Sequence, residues 1–134
     1  MTPFPQKIVT PDGLIYDGPA EMVIVRTITG DMAFLAKHIN CVAPLGMGRA
    51  TVIIDGKRRY AACIGGMISV KGGNVTLVPT TFEWSHKIDA ERAEAAYEKA
   101  LQLLNREGLS ATEHAIAQAK LNRALIRKNI ASYK

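Results

Sequence analysis

The sequence predicts a β + α protein of two parts, an antiparallel β-sandwich followed by an antiparallel hairpin of two helices. Up to residue 84, apolar residues form short runs rich in β-branched types, with turn signals roughly every 8 to 12 residues. After Trp84 the composition changes, because residues 85–134 contain 11 alanines and no proline, which favours helix. We therefore expect a sandwich domain at 1–84 and a helical domain at 85–134.

The turns of the first part have identifiable chemistry. Asp55-Gly56 suits a type I′ hairpin, since both of its central positions need positive φ, and Gly72-Gly73 suits the same kind of turn. Thr10-Pro11-Asp12-Gly13 combines a proline that presets φ with a glycine that accepts positive φ. The predicted strands are 4–9, 13–17, 20–28, 31–35, 49–54, 58–64, 66–70, 74–78 and 81–84.

The second part predicts two amphipathic helices. The first is expected to end at Arg106-Glu107-Gly108, with Gly108 as the C′ residue, and Ser110 and Glu113 predict a capping box that starts the second. At about 100° per residue from Asp89, one face of the first helix carries Ala93, Ala96, Ala100, Leu103 and Leu104. The opposite face carries Glu91, Glu94, Glu98 and Asn105. A hairpin of this size buries little area, so we expect it to be marginally stable and easily moved.

Composition excludes several classes of protein. No apolar stretch reaches the roughly 20 residues of a membrane-spanning helix, and residues 1–4 do not begin a secretory signal. Cys41 and Cys63 lack disulfide or metal-ligand spacing, which indicates a reduced cytosolic protein. His38 has no second ligand nearby, so we expect no metal site. No catalytic side-chain arrangement is visible, and the chain is not expected to be an enzyme.

A basic character raises the question of an anionic partner. The net charge is +5, and residues 109–134 contribute five cations against the single acid Glu113. A nucleic-acid module is the alternative from another class, but the few aromatic residues form no stacking cluster. We therefore expect no nucleic acid, and a solvated basic face or an acidic partner surface stays open.

The cations of the helical part fall into a pattern that suits a phosphate chain. Relative to Ile116, Lys120, Arg123 and Arg127 lie at roughly 40°, −20° and 20° on the second helix. Arg92 and Lys99 lie beside the alanine face of the first helix, so the two sets converge in an antiparallel hairpin. No glycine-rich phosphate loop is present, which excludes P-loop catalysis. Guanidinium groups can bind phosphate oxygens without such a loop.

A series of short motifs runs in order along nearly the whole chain. They are Ile8-Val9-Thr10-Pro11-Asp12-Gly13, Tyr16-Asp17-Gly18, Ala20-Glu21-Met22-Val23, Gly30-Asp31, His38, Val42-Ala43-Pro44-Leu45, Gly65-Gly66 and Ile88-Asp89-Ala90-Glu91-Arg92-Ala93. In these motifs and their order the chain resembles the epsilon subunit of bacterial F-type ATP synthases.

That resemblance implies a non-catalytic central-stalk rotor subunit that helps couple proton transport to ATP synthesis. The sandwich is expected to bind the gamma subunit and the c-ring. The helical hairpin is expected either to fold against the sandwich or to extend toward the alpha and beta subunits of the catalytic head, inhibiting ATP hydrolysis. Such a protein would be peripheral to the cytoplasmic face of the bacterial cell membrane.

The resemblance also implies a regulatory ATP site. Some bacterial members bind ATP through an Ile-Asp-x-x-Arg-Ala motif, an upstream Glu and arginines of the second helix. Carried over by position, the site residues are Glu83, Ile88, Asp89, Arg92, Ala93, Lys99, Arg123 and Arg127, with Lys99 standing where ATP-binding members tend to have arginine. The sequence leaves open whether Mg²⁺ accompanies the nucleotide.

A structural role is the alternative for the same residues. Asp89 also suits an N-cap or first-turn acid that pairs with Arg92, and the second-helix arginines also suit a solvated face. In that case the subunit is insensitive to ATP and its hairpin acts only by contact with the catalytic head.

A second set of residues is implied at the c-ring. Asp31 and His38 are expected to contact the c-ring, and polar packing is the alternative for His38, with Asp31 as its candidate neighbour. The loop between them reads Ala33-Phe34-Leu35-Ala36-Lys37-His38, where the family commonly has Gly-Ile-Leu-Pro-Gly-His.

Overall fold

The computed structural model describes residues 1–133. These residues form two compact units, and the boundary between them along the chain follows Trp84. Residues 1–84 form strands, and the described residues from 85 onward form a 3-10 turn at Ser85–Lys87 and two helices. Within the described chain the strands are β1 Phe4–Thr10, β2 Gly13–Ala20, β3 Met22–Thr27, β4 Gly30–Phe34, β5 Cys41–Pro44, β6 Met47–Ile54, β7 Lys57–Ile64, β8 Met67–Lys71, β9 Asn74–Val78 and β10 Thr81–Trp84. The helices are α1 Ala90–Leu104 and α2 Ala111–Ala131.

The strands form two five-stranded sheets, which confirms the predicted sandwich. One sheet has the order β2-β1-β9-β8-β5 and the other β10-β7-β6-β3-β4. Neighbouring strands are antiparallel except β1 and β9, which pair in parallel with Ile8 opposite Leu77. Alternate residues point into a shared core, as in β1, where Phe4, Gln6 and Ile8 are buried while Pro5 and Lys7 are exposed. The core is therefore built by period-two patterning of both sheets.

The predicted type I′ turn is present between β6 and β7. Asp55 has φ of 51° and Gly56 has φ of 75°, the left-handed values that this turn requires at both positions. The turn fixes the pairing register, with Ile54 opposite Lys57. Sequence chemistry thus sets the alignment of the two longest neighbouring strands.

Strand β5, Cys41–Pro44, was not among the predicted strands. It is four residues long, it lies at the edge of its sheet, and it pairs with β8 alone. Proline is tolerated at such an edge because the missing N–H costs no ladder hydrogen bond there. A short edge strand gives too little alternation to be recognised from sequence.

Both cysteines are free thiols in the sandwich. Cys41 on β5 is half-buried, and Cys63 on β7 is buried. Burial raises the pKa of the Cys63 thiol to about 12, so it stays protonated at neutral pH.

The two helices contact each other along their length and form the predicted hairpin. The capping box is present at the start of α2, where Ser110 Oγ accepts from the Glu113 N–H at 3.1 Å and Glu113 Oε1 accepts from the Ser110 N–H at 3.4 Å. The predicted end of α1 was wrong. Its C-cap is Asn105, whose N–H donates to the Leu101 carbonyl at 3.1 Å, so Arg106 and Gly108 lie in the connecting loop. Within residues 1–133 no helix is long and apolar enough to cross a membrane.

Candidate functional site

The face between the helices is lined by small side chains. Ala93 and Ala100 on α1 are buried, as are Ala117 and Ala124 on α2, and each pair is separated by two helical turns. We call these four residues the alanine seam. Alanines at these positions let the two helix axes approach closely.

One side of the alanine seam is closed by an ion pair. Lys128 Nζ lies 3.1 Å from Glu94 Oε2 and 4.4 Å from the centre of the Tyr97 ring. The hydrogen bond from Lys128 to Glu94 raises the pKa of the Lys128 ammonium above its ordinary value. Glu94 was predicted on the outward face of α1 together with Glu91 and Glu98, but it is half-buried because Lys128 draws it toward α2.

The other side of the alanine seam carries cations from both helices. On helical geometry, Arg92 and Lys99 lie on the side of α1 away from Glu94, and Arg123 and Arg127 lie on the side of α2 away from Lys128. The Glu94–Lys128 pair shows which sides of the two helices face each other, so these remaining sides must also lie together. We call the set of Arg92, Lys99, Arg123 and Arg127, together with Lys120, the cationic flank.

Most of the cationic flank is solvent-exposed and free of acids. Arg92, Lys99, Lys120 and Arg123 are exposed, and none of the four forms an ion pair with an acidic side chain within residues 1–133. Arg127 is half-buried. Like charges grouped on one side of a helix pair repel one another, and an anion among them would remove that repulsion.

Asp89 has a structural role at the start of α1. It is the N-cap, and its Oδ1 accepts a hydrogen bond from the Arg92 N–H at 3.1 Å. The N-cap hydrogen bond that a structural role of Asp89 predicts is therefore present. The Asp89 side chain remains exposed.

The remaining predicted ATP residues are distributed over both units. Ile88 is buried and follows the 3-10 turn, with its N–H donating to the Ser85 carbonyl at 3.3 Å. Ala93 is fully buried in the alanine seam, so it belongs to the helix packing. Glu83 is half-buried on β10 of the sandwich unit, opposite Ala62 on β7. The hairpin itself thus brings together Asp89 and the cations.

Asp31 and His38 are not brought together. Asp31 at the start of β4 accepts from Arg26 Nε at 3.0 Å, across the β3–β4 pair. His38 follows the other end of β4, where its ring lies 4.8 Å from that of Phe34 and its Nδ1 lies 2.9 Å from the Ile39 carbonyl oxygen. The expected contact between Asp31 and His38 is therefore not present.

Two glycines make room for the Arg26 side chain. A Cβ at Gly48 would lie 3.0 Å from Arg26 Cβ, and a Cβ at Gly46 would lie 3.3 Å from Arg26 Cγ. The arginine stem crosses this bare stretch of backbone and reaches Asp31. This role was not predicted from the sequence, although a glycine on each side of Met47 is a signal of close backbone approach.

The loop before His38 contains a strained residue. Lys37 has φ of 63°, in the left-handed region that glycine adopts without cost. It stands where the family loop quoted above has its second glycine. Lys37 thus adopts a left-handed backbone conformation without glycine's freedom.

Comparisons with known proteins agree along the whole described chain. Residues 4–85 match the beta-sandwich domain of the ATP synthase delta/epsilon chain, and residues 86–132 match its long alpha-helix domain. The ATP synthase epsilon chain of Shouchella clausii is 38% identical over 128 residues, covering 96% of this chain and 94% of the relative. That of Bacillus velezensis is 40% identical over 125 residues, covering 93% and 94%.

Solved structures share the fold. A chain of the mitochondrial ATP synthase of Euglena gracilis, in its OSCP/F1/c-ring assembly, aligns with a TM-score of 0.80 at 22% identity, covering 92% of this chain and 78% of that one. A chain of the central stalk/c-ring of the Tetrahymena thermophila mitochondrial ATP synthase aligns with a TM-score of 0.65 at 10% identity, covering 96% of both. With both domain matches and the near-complete relatives, the chain belongs to the ATP synthase epsilon chain family.

Proposed function

We propose that this chain is a non-catalytic rotor subunit of a bacterial F-type ATP synthase, and that its hairpin restrains ATP hydrolysis and senses ATP. Its partners in this proposal are the gamma subunit and the c-ring at the sandwich and the alpha/beta catalytic head at the hairpin. In that assembly it helps couple proton transport to ATP synthesis, peripheral to the cytoplasmic face of the cell membrane. Relatives named epsilon chain, matched over nearly their whole length, support the assignment.

The difference between the two sides of the alanine seam supports the ATP-sensing part of this proposal. On one side Lys128 has an acidic partner in Glu94, whereas on the other Arg92, Lys99 and Arg123 have none within residues 1–133. A triphosphate supplies negative charge for Arg92, Lys99 and Arg123, and the guanidinium groups suit its oxygens. These three cations therefore support a site for a phosphate chain on this side of the hairpin.

ATP bound there would favour the folded hairpin. The cationic flank exists only while α1 and α2 lie together, so a ligand that binds it stabilises that state by mass action. At a concentration 100 times its dissociation constant, the ligand contributes about 2.7 kcal/mol. A hairpin whose helix contact is formed mainly by alanines is marginally stable. A free energy of this size therefore shifts the equilibrium between the folded hairpin and the separated helices. In the absence of ATP, the helices separate from that arrangement and reach the catalytic head.

The alternative function is the same subunit without ATP sensing. The N-cap role of Asp89 favours it, because the hydrogen bond to the Arg92 N–H explains the acid without a ligand. In that case the basic α2 acts by contact with acidic surfaces of the catalytic head alone.

Calorimetric titration of the full chain with ATP separates the two functions. We expect saturable one-to-one binding, measured with and without Mg²⁺, that Arg92→Ala and Arg123→Ala each weaken at least tenfold, about the value of one charged hydrogen bond. Lys71→Ala, an exposed cation at the β8–β9 turn, is the matched control and should bind like the wild type. No heat up to millimolar ATP would overturn the nucleotide site.

A second experiment tests restraint of hydrolysis. The catalytic head is assembled with the wild-type chain or with a variant truncated after Ser85, and steady-state ATP hydrolysis is measured at low and high ATP. The truncated assembly should hydrolyse ATP faster, and the difference should shrink as ATP rises. Equal rates at every ATP concentration would show that the hairpin has no inhibitory role.

A further inference from the structure

The sandwich core contains a polar side chain, Gln6 of β1. It is 1% exposed and lies on the same face of the strand as the buried Phe4 and Ile8. Its amide nitrogen Nε2 donates a hydrogen bond to the Lys7 carbonyl oxygen at 3.1 Å. Its oxygen Oε1 is buried and accepts no hydrogen bond from residues 1–133. Burying an amide oxygen without a donor is unfavourable, so the site requires a donor beside Gln6.

The orientation of the Gln6 amide follows from its one hydrogen bond. With nitrogen and oxygen exchanged, Oε1 would lie 3.1 Å from the Lys7 carbonyl oxygen, and two acceptors would face each other. The nitrogen therefore faces that carbonyl group. Oε1 points away from it, and the group that requires a partner is an acceptor.

A glycine leaves room next to the Gln6 side chain. Gly18 of β2 is directly opposite Gln6 in the antiparallel pair, and directly opposite residues point to the same face of a sheet. A Cβ at Gly18 would lie 3.0 Å from the hydroxyl oxygen Oη of Tyr16. The Tyr16 hydroxyl therefore stands over Gly18, on the face of the sheet to which Gln6 also points.

The Tyr16 hydroxyl can accept a hydrogen bond from a ligand but has no proton to give. Its Oη donates to the Pro19 carbonyl oxygen at 2.6 Å. Burial is the main cause that raises the pKa of Tyr16 above its ordinary 10, so the hydroxyl keeps this proton at neutral pH. A hydroxyl has one proton and two lone pairs, so Oη remains an acceptor. Oε1 of Gln6 and Oη of Tyr16 therefore both suit a small ligand with two donor protons.

We infer that one water molecule is bound between β1 and β2 and donates one hydrogen bond to Gln6 Oε1 and one to Tyr16 Oη. Waters that bridge buried polar groups are a regular part of globular proteins. This water would link the side chains of two neighbouring strands. It would strengthen the attachment of β2, an edge strand whose only ladder partner is β1.

Nuclear magnetic resonance of the full chain tests the site directly. The wild type should show cross-peaks between a long-lived water and both the Gln6 side-chain amide protons and the Tyr16 ring protons. Gln6→Met keeps the length of the side chain but removes the oxygen, so the water cross-peaks at Tyr16 should disappear. Gln102→Met makes the same change at an exposed position of α1 and should leave them intact. A folded wild type without water cross-peaks at Gln6 would overturn the inference.

A double-mutant cycle tests whether Gln6 and Tyr16 act through a shared ligand. Tyr16→Phe should lower the urea midpoint of the wild type, because it removes the bond to Pro19 and one of the two acceptors of the water. In the Gln6→Met background the same substitution should lower the midpoint less, since the water is already lost. Equal shifts in the two backgrounds would show that no water joins the two side chains.

Discussion

The two units of this chain are stabilised by different kinds of packing. The sandwich buries large side chains completely, among them Phe34, Ile8 and Leu77, each 0% exposed. The contact between the helices buries alanines, of which Ala93 and Ala117 are 0% exposed. Burying a large apolar side chain contributes about 1.5–3 kcal/mol, and an alanine methyl contributes far less. The packing of the sandwich therefore contributes more stability than the packing between the two helices.

A cavity in the sandwich should cause the largest loss of stability. Phe34→Ala should lower the free energy of unfolding by about 3–5 kcal/mol, because a large fully buried ring is removed from between the sheets. Urea denaturation followed by tryptophan fluorescence measures it, since Trp84 belongs to the same core. Phe34→Leu is the control, with a smaller loss expected. A loss below 1 kcal/mol for Phe34→Ala would contradict the assignment of stability to the sandwich core.

A substitution in the alanine seam should affect the helices alone. Ala117→Leu places a larger side chain between helices that leave no free space there. It should lower the stability of the hairpin by about 1–3 kcal/mol. Far-UV circular dichroism and amide hydrogen exchange of α1 and α2 should show the loss while the strands keep their protection. Ala119→Leu, at an exposed position of the same helix, is the matched control and should change neither. Equal effects of the two substitutions would show that the seam does not hold the helices together.

Relief of backbone strain should strengthen the sandwich by a smaller amount. Lys37→Gly removes the Cβ at a φ of 63° and should raise the free energy of unfolding by about 0.5–1 kcal/mol, the difference between left-handed strain and the added freedom of glycine. Lys37→Ala keeps the Cβ, so it should leave stability unchanged in the same urea titration. A gain with alanine equal to that with glycine would point to the lysine charge instead.

The Glu94–Lys128 pair should make the stability of the hairpin depend weakly on pH. The pKa of Lys128 is raised above its ordinary 10.5 in the folded hairpin, mainly by its hydrogen bond to Glu94. Stabilisation from this pair is complete below that ordinary value and is lost as pH rises through the raised pKa. Helicity should therefore fall more over this alkaline range in the wild type than in Glu94→Gln, as followed by circular dichroism. Identical curves would show that the pair contributes nothing.

Much of this architecture is encoded by local patterns. Turn chemistry at Asp55-Gly56, the capping box at Ser110 and the alanine content after Trp84 each act within a few residues, and each was found from sequence. The fold class follows from such signals, because alternation and helical periodicity are properties of neighbouring residues. The cationic flank was also predictable in outline, since helical angles alone place Arg123 and Arg127 together.

Features that depend on pairing between distant segments were not predictable in the same way. Glu94 has the sequence position of an outward-facing acid, and only the antiparallel register brings Lys128 to it. Asp31 was a candidate partner for His38, whereas the strand register gives it Arg26 as its partner. Strand β5 depends on its partner β8 for its only ladder, so its own four residues carried no sufficient signal.

The separation of the cationic flank from the alanine seam has an evolutionary consequence. Arg92, Lys99, Lys120 and Arg123 are exposed, so mutations at these positions alter surface charge while the buried contacts that hold α1 against α2 stay the same. Surface substitutions of this kind usually change stability by less than about 0.5 kcal/mol. The charge on this side of the hairpin can therefore change through single substitutions without weakening the packing between α1 and α2.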